Sequence, residues 1–212
     1  MKSFCRNLGT ALAIVLAAGS IAQAQEEPDH IRGRIASMGD GSIVVDTHEG
    51  KSVKLMIPEE ITVIALDKGR WQTVDFGVYV GSVAIKLDEY SPIVRDSMSW
   101  LHKGFELRII DEQLRGIALG HKKWTLTDES IMAHGWVDDI EGRVLSIKYG
   151  PTEEEETDVE IPRRTNVLTM SLGDMSLIRP GVHIFAGAKK NDNGDYVAQF
   201  IFAGKNGIIP GL

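Results

Sequence analysis

The sequence predicts an all-β protein with one short helix, laid out as two similar groups of strands on either side of a connecting stretch. Three observations predict it. Apolar and polar residues alternate with period two through most of residues 30–111 and again after Gly135, as they do in strands that bury one face. Glycines next to Asp, Glu or Asn interrupt these runs at hairpin spacing. The second run also repeats the first. Gly33-Arg34-Ile35 followed by Met38 matches Gly135-Trp136-Val137 followed by Ile140 at an offset of 102, and from Leu55 the match continues without gaps at an offset of 104.

In the first run, Ile31, Gly33 and Ile35 alternate with Arg32 and Arg34, and Gly39-Asp40-Gly41 makes a hairpin turn because glycine reaches positive φ without steric cost. Ser42–Thr47 returns as a second strand. After a turn at His48-Glu49-Gly50, residues 51–57 alternate Val53, Leu55 and Ile57 with polar neighbours until Pro58 stops the pairing. A less regular section follows, anchored by Ile61, Val63 and Ile64, and residues 77–86 form a fourth strand. A short amphipathic helix is expected over about residues 92–103: Ser91 is a good N-cap, Pro92 suits the first turn, Val94, Met98 and Leu101 share a face, and Gly104 ends it. Period two returns over residues 105–111 as a fifth strand.

The second run reuses this plan. Leu55, Ile57 and Pro58 correspond to Val159, Ile161 and Pro162; Val63-Ile64 to Val167-Leu168; Gly69 to Gly173; and Gly77-Val78 to Gly181-Val182. Glu141-Gly142 is the hairpin equivalent to Gly39-Asp40-Gly41. A last hairpin at Asn191-Asp192-Asn193-Gly194 leads into a strand over residues 196–203. The expected organisation is a signal segment (1–24), a first module (25–112), a bridge (113–132) and a second module (133–212). Modules of this size sit near the lower limit for an independent core, so they should pack on each other. At five strands, the usual way to hide sheet edges is a small barrel of the OB type, two in tandem here, with a single sandwich as the alternative.

Composition bounds the function. The chain has 212 residues, 43 % hydrophobic and 25 % charged, as in an ordinary globular protein. Lys2 and Arg6 precede an apolar run, and Ala22-Gln23-Ala24 is a small-residue cleavage motif, so export with cleavage before Gln25 is expected, and with it a periplasmic location. The apolar run is shorter than the roughly 20 residues a membrane span needs. Cys5 is the only cysteine and lies upstream of that run, which leaves the mature chain without disulfides or thiolate sites. Losing Lys2 and Arg6 leaves 21 basic against 30 acidic residues, a formal charge of −9. Such a surface repels phosphate backbones, so nucleic acid is not an expected partner.

The glycine-punctuated strand runs, with Gly33, Gly41, Gly135 and Gly142 in the hairpins, resemble bacterial exported OB-like β-barrel domains grouped as a domain of unknown function. The bridge, with Arg115-Gly116, Gly120-His121, Trp124, Leu126, Ser130 and Met132, is similar to the connecting segment of that family, which reads R-G-x-x-x-G-H-x-x-W-D-L ahead of S-T-M-T-N. This chain departs from it at Thr125, Ile131 and Ala133-His134. The resemblance covers nearly all of the mature chain and implies a fold and an envelope location, with no activity attached.

Within the bridge, His121 stands out as a candidate metal ligand or general base, with His134 as its partner. The competing reading has His121 and Arg115 satisfying the irregular backbone of a connection clamped between two barrels, with Gly116 and Gly120 shaping it and Trp124 plugging the seam. The structural reading is preferred, since a zinc site wants three or four ligands and the 13-residue separation of the two histidines is no recognised spacing. Glu153 to Glu156 read as a solvated loop, and Glu59-Glu60 and Asp138-Asp139 point to opposite faces of strands. Ser37 and Ser130 lack a nucleophile elbow. A non-enzymatic envelope binding or scaffold protein is expected, with no cofactor, an envelope protein or glycan as partner, and Tyr79, Trp71 or Trp136 as contact surface. Periplasmic metal binding by His121 and His134 is the alternative.

Overall fold

The computed structural model describes residues 29–86 and 101–211. The expected signal segment therefore lies outside the described residues. Among the described residues thirteen strands join in one hydrogen-bonded sheet, and the only helices are short 3-10 turns such as Trp71–Thr73 and Met175–Leu177. The all-β expectation holds.

β1 (Asp29–Gly39), β2 (Ser42–Thr47) and β3 (Ser52–Met56) form the expected meander. Its first turn is the two-residue Asp40-Gly41, with Gly41 at φ 62°. β4 (Thr62–Lys68) occupies the section expected to be irregular. Its residues Val63 to Leu66 are buried on both faces, so it lacks the alternation that marks an exposed strand. β5 (Tyr79–Lys86) and β6 (His102–Ile110) follow. Residues 92–100 of the expected helix lie outside the described residues, whereas His102 and Lys103 open β6. Gly104 sits inside that strand, against Ile161 and Val159, and ends no helix.

The bridge contains its own short strand, β7 (Gly120–Lys123), and β8 (Ser130–Glu141) begins earlier than the glycine pattern suggested. β9 (Val144–Lys148), β10 (Glu156–Glu160), β11 (Asn166–Leu172), β12 (His183–Lys190) and β13 (Tyr196–Gly204) complete the chain.

Pairing does not follow the halves of the sequence. β1, β2, β3, β13 and β12 close into a five-stranded mixed barrel, antiparallel except where β13 meets β3 in parallel at Tyr196 to Leu55 and Val197 to Met56. Ile35, Ile43, Val45, Leu55, Ile184 and Ile201 fill it. Two of its strands come from the far end of the chain, so it is not the contiguous module expected from strand order. A second group joins β5 and β6 to β8, β9 and β10, with β10 alongside β6 in parallel at Val159 to His102 and Glu160 to Lys103. Val80, Leu107, Val137, Leu145, Ile147 and Val159 pack among these strands.

β4 and β11 tie the groups together. They pair antiparallel about Leu66 and Met170, while β4 also runs parallel to β13 and β11 parallel to β6. A third core of Ile64, Leu66, Tyr79, Ile110, Leu114, Leu168 and Met170 lies here, with Ile117, Trp136, Phe202 and Ile208 against it. Leu114 and Ile117 belong to the bridge, which therefore contributes apolar surface to the join. Burial of this kind stabilises by about 25 cal/mol per Å² of apolar surface removed from water.

Candidate functional site

The bridge is held by a few specific bonds. Asp111 caps the turn Glu112–Leu114 through the Gln113 amide, and Arg115 donates to both carboxylate oxygens of Glu112 and to the Gly77 carbonyl at 3.1 Å. The Tyr79 hydroxyl donates to the Ile117 carbonyl at 2.9 Å. Gly116 and Gly120 take φ of 88° and 109°, a region open to glycine but costly to residues with a Cβ. This is how the chain reverses twice between Leu114 and β7. Ser130 closes the segment's far end by bonding the Trp124 and Thr127 carbonyls. Tyr79, expected as contact surface, is 1 % exposed: burial of its ring in the third core accounts for that difference, and burial also pushes its hydroxyl pKa up.

The two bridge histidines part company. His134 on β8 pairs with Gly120 of β7, and His121 pairs with Ala133. Adjacent ladder positions alternate in face, so the two imidazoles point to opposite sides. His121 is exposed and its Nδ1 lies 2.7 Å from the Tyr149 hydroxyl. His134 is buried against Gly81, where a Cβ would fall 2.6 Å from the ring. Its Nδ1 finds no hydrogen-bond partner among the described residues. Burial, then the positive charges of Arg108 and Lys122, lower its pKa to about 3. A metal held jointly by this pair does not fit that geometry. Among the described residues no group of three or more His, Cys, Asp or Glu side chains is placed to hold a metal ion.

Trp124 is half-buried. Its ring lies 6.0 Å from His30 and 6.4 Å from Phe185, at the edge of a cluster that includes Phe200 and Phe202. Two guanidiniums cover these rings: Arg32 is 5.1 Å from the centre of Phe185, and Arg108 is 5.8 Å from that of Phe202. Arg32 also donates to Thr125 at 3.1 Å, and Arg108 is ion-paired with buried Glu106 at 2.6 Å. Trp124 therefore seats the bridge on an aromatic surface of β1, β12 and β13, at the rim rather than as a fully enclosed plug.

An open pocket of about 770 Å³ lies at the end of the central strands. Lys68 ends β4 and Arg70 follows it, Arg143 stands in the β8–β9 turn, and Arg163 lies between β10 and β11. Trp71 forms a wall, with the Arg143 guanidinium 4.0 Å from its ring centre. Arg143 donates to the Ile161 carbonyl at 2.6 Å and the Pro162 carbonyl at 3.0 Å, so its plane is fixed by the main chain. Partial burial, and then the charge of Arg163, lower its pKa. The sequence marks Trp71 as an aromatic but offers no hint that four cations converge beside it, because they come from three separate connections.

Neither a scan against protein-family models nor a search of curated proteins found a match to this chain.

Proposed function

We propose that this chain is a non-enzymatic binding or scaffold protein of the cell envelope, built from two OB-like five-stranded barrels that arose by duplication and are tied by the segment 113–132. The open pocket beside Trp71 carries the binding reading. Its volume lies in the range of small-molecule sites, and three of its cations are guanidiniums, which stay charged at ordinary pH. Such groups hold a ligand without exchanging protons, which is binding chemistry rather than acid–base chemistry.

Several details support the duplication. Bulges fall between Ile35 and Ser37 in β1 and between Val137 and Asp139 in β8, 102 residues on. Others fall between Val83 and Ala84 in β5 and between Gly187 and Ala188 in β12, 104 residues on. The β4 to β11 pairing is self-complementary under the same offset: Ile64 faces Leu172, Leu66 faces Met170 and Lys68 faces Leu168. Exchange of strands between duplicated units gives each five-strand group strands from both. The signal-like N-terminus motivates the envelope location.

Affinity capture from envelope extract tests the binding reading. Expected is a protein or glycan enriched over a matched barrel protein and displaced by excess untagged chain; enrichment of nothing above that control removes the reading.

A further inference from the structure

The four cations of the open pocket, Lys68, Arg70, Arg143 and Arg163, form no ion pair among the described residues. The chain carries a formal charge of −7, so carboxylates are plentiful, and the ion pairs among the described residues engage Arg108, Arg115, Lys148 and Lys205. None engages a cation of the pocket. Glu106 also lines the cavity, but it is 3 % exposed and neutralised by Arg108. The field in the pocket is therefore positive within a surface that is acidic on average, and a concave site of one sign concentrates ligands of the other.

Fold requirements do not explain the charges. Under the 104-residue offset of the proposed duplication, Arg70, Arg163 and Arg164 correspond to Asp174, Glu59 and Glu60. All three change sign. The same backbone is thus compatible with acids at these places, and the basic set is a property of this pocket. Arg143 is different in kind, because its bonds to the Ile161 and Pro162 carbonyls and its stacking on Trp71 hold it in one orientation before any ligand arrives. Beside the charges stand apolar groups: Trp71, Val167, Ile208 and Ile209 line the same cavity, and Ile209 is 56 % exposed.

We propose that this pocket binds a small amphipathic anion, with a phosphate or carboxylate group held by Arg70, Arg143 and Arg163 and a flat apolar body against Trp71 and Ile209. Guanidiniums suit both anions because their paired N–H groups match two oxygens at once. The proposal deepens the binding reading and rests on it.

Calorimetric titration of the purified protein tests it with three probes: 1-naphthyl phosphate, 1-naphthoate and uncharged 1-naphthol. At least one anion is expected to bind saturably at one site and more weakly as salt is raised, with naphthol far weaker. The stronger anion identifies the headgroup. Arg70→Gln/Arg163→Gln should weaken that anion by about tenfold or more, while Glu59→Gln leaves it unchanged. Both arginines are exposed, and circular dichroism checks that the fold survives; Arg163→Lys alone, expected to retain part of the affinity, serves if the double variant does not fold. No saturable anion binding, equal binding of naphthol, or an affinity indifferent to the arginines overturns the proposal. Affinity capture with the unmodified chain separates the two readings: a chain that retains an envelope component yet binds neither anion removes this inference and leaves the binding role standing.

Discussion

His134 is a titratable side chain placed where a charge is expensive. It sits opposite Gly81, the one residue type that leaves room for the ring, and within the field of Arg108 and Lys122. With its folded pKa lowered to about 3 from the ordinary 6.5, the unfolded chain takes up a proton first as pH falls. Stability from this residue is thus fully present above about pH 6.5, is lost progressively between there and about pH 3, and changes no further below. His134→Leu should flatten that part of the stability profile by on the order of a few kcal/mol. Urea unfolding of both proteins between neutral and acid pH measures it, and parallel profiles would show that the imidazole is not the cause. Which residues line the open pocket was beyond the reach of the sequence for a related reason. Arg70 and Arg163 lie 93 positions apart, and a charge on a loop carries no local mark of what it will face.

Among the elements, those with one wet face were legible and those without were not. β2 matches its expected bounds because Ile43 and Val45 alternate with exposed or half-buried neighbours. β4 was missed because it is enclosed on both sides, and β7 because His121, Lys122 and Lys123 are exposed and, among the described residues, its one strand partner is β8. The helical spacing of Val94, Met98 and Leu101 ran on into a segment that pairs with β5 from His102 onward. Glycines carry two different constraints, which substitution separates. At Gly135 a Cβ would lie 2.2 Å from the Lys148 carbonyl oxygen, a main-chain atom that cannot swing away. At Gly142, with φ 63°, the space is open. Gly135→Ala is expected to cost more than about 3 kcal/mol, and Gly142→Ala about 1 kcal/mol. Denaturant midpoints compare them, and equal small losses would mean that β8 and β9 lie further apart than described here.

At the scale of the molecule, strands from the two halves of the sequence pair with each other, so the expected packing of one half on the other is a shared sheet. β12 and β13 complete the barrel of β1, β2 and β3, while β8, β9 and β10 associate with β5 and β6. β4 and β11 cross between the two groups. Neither set of strands can separate without breaking the connections through the third core. Val45→Ala in one core and Leu145→Ala in the other, both fully buried, should therefore each shift a single shared transition. Fluorescence and circular dichroism followed through the same urea titration are expected to coincide. Two resolved transitions, each moved by one of the substitutions, would establish separable units instead.

Sequence alone determined that the protein is all-β and where most hairpins turn, since side-chain alternation and glycine conformation act over a few residues and are written there. Only the tertiary structure decided which strands meet. Parallel contacts such as β3 with β13 and β6 with β11 join residues far apart in the chain, and their stability comes from shared burial and shape, neither of which leaves a periodic trace in either partner. The cationic pocket is a product of that same long-range assembly.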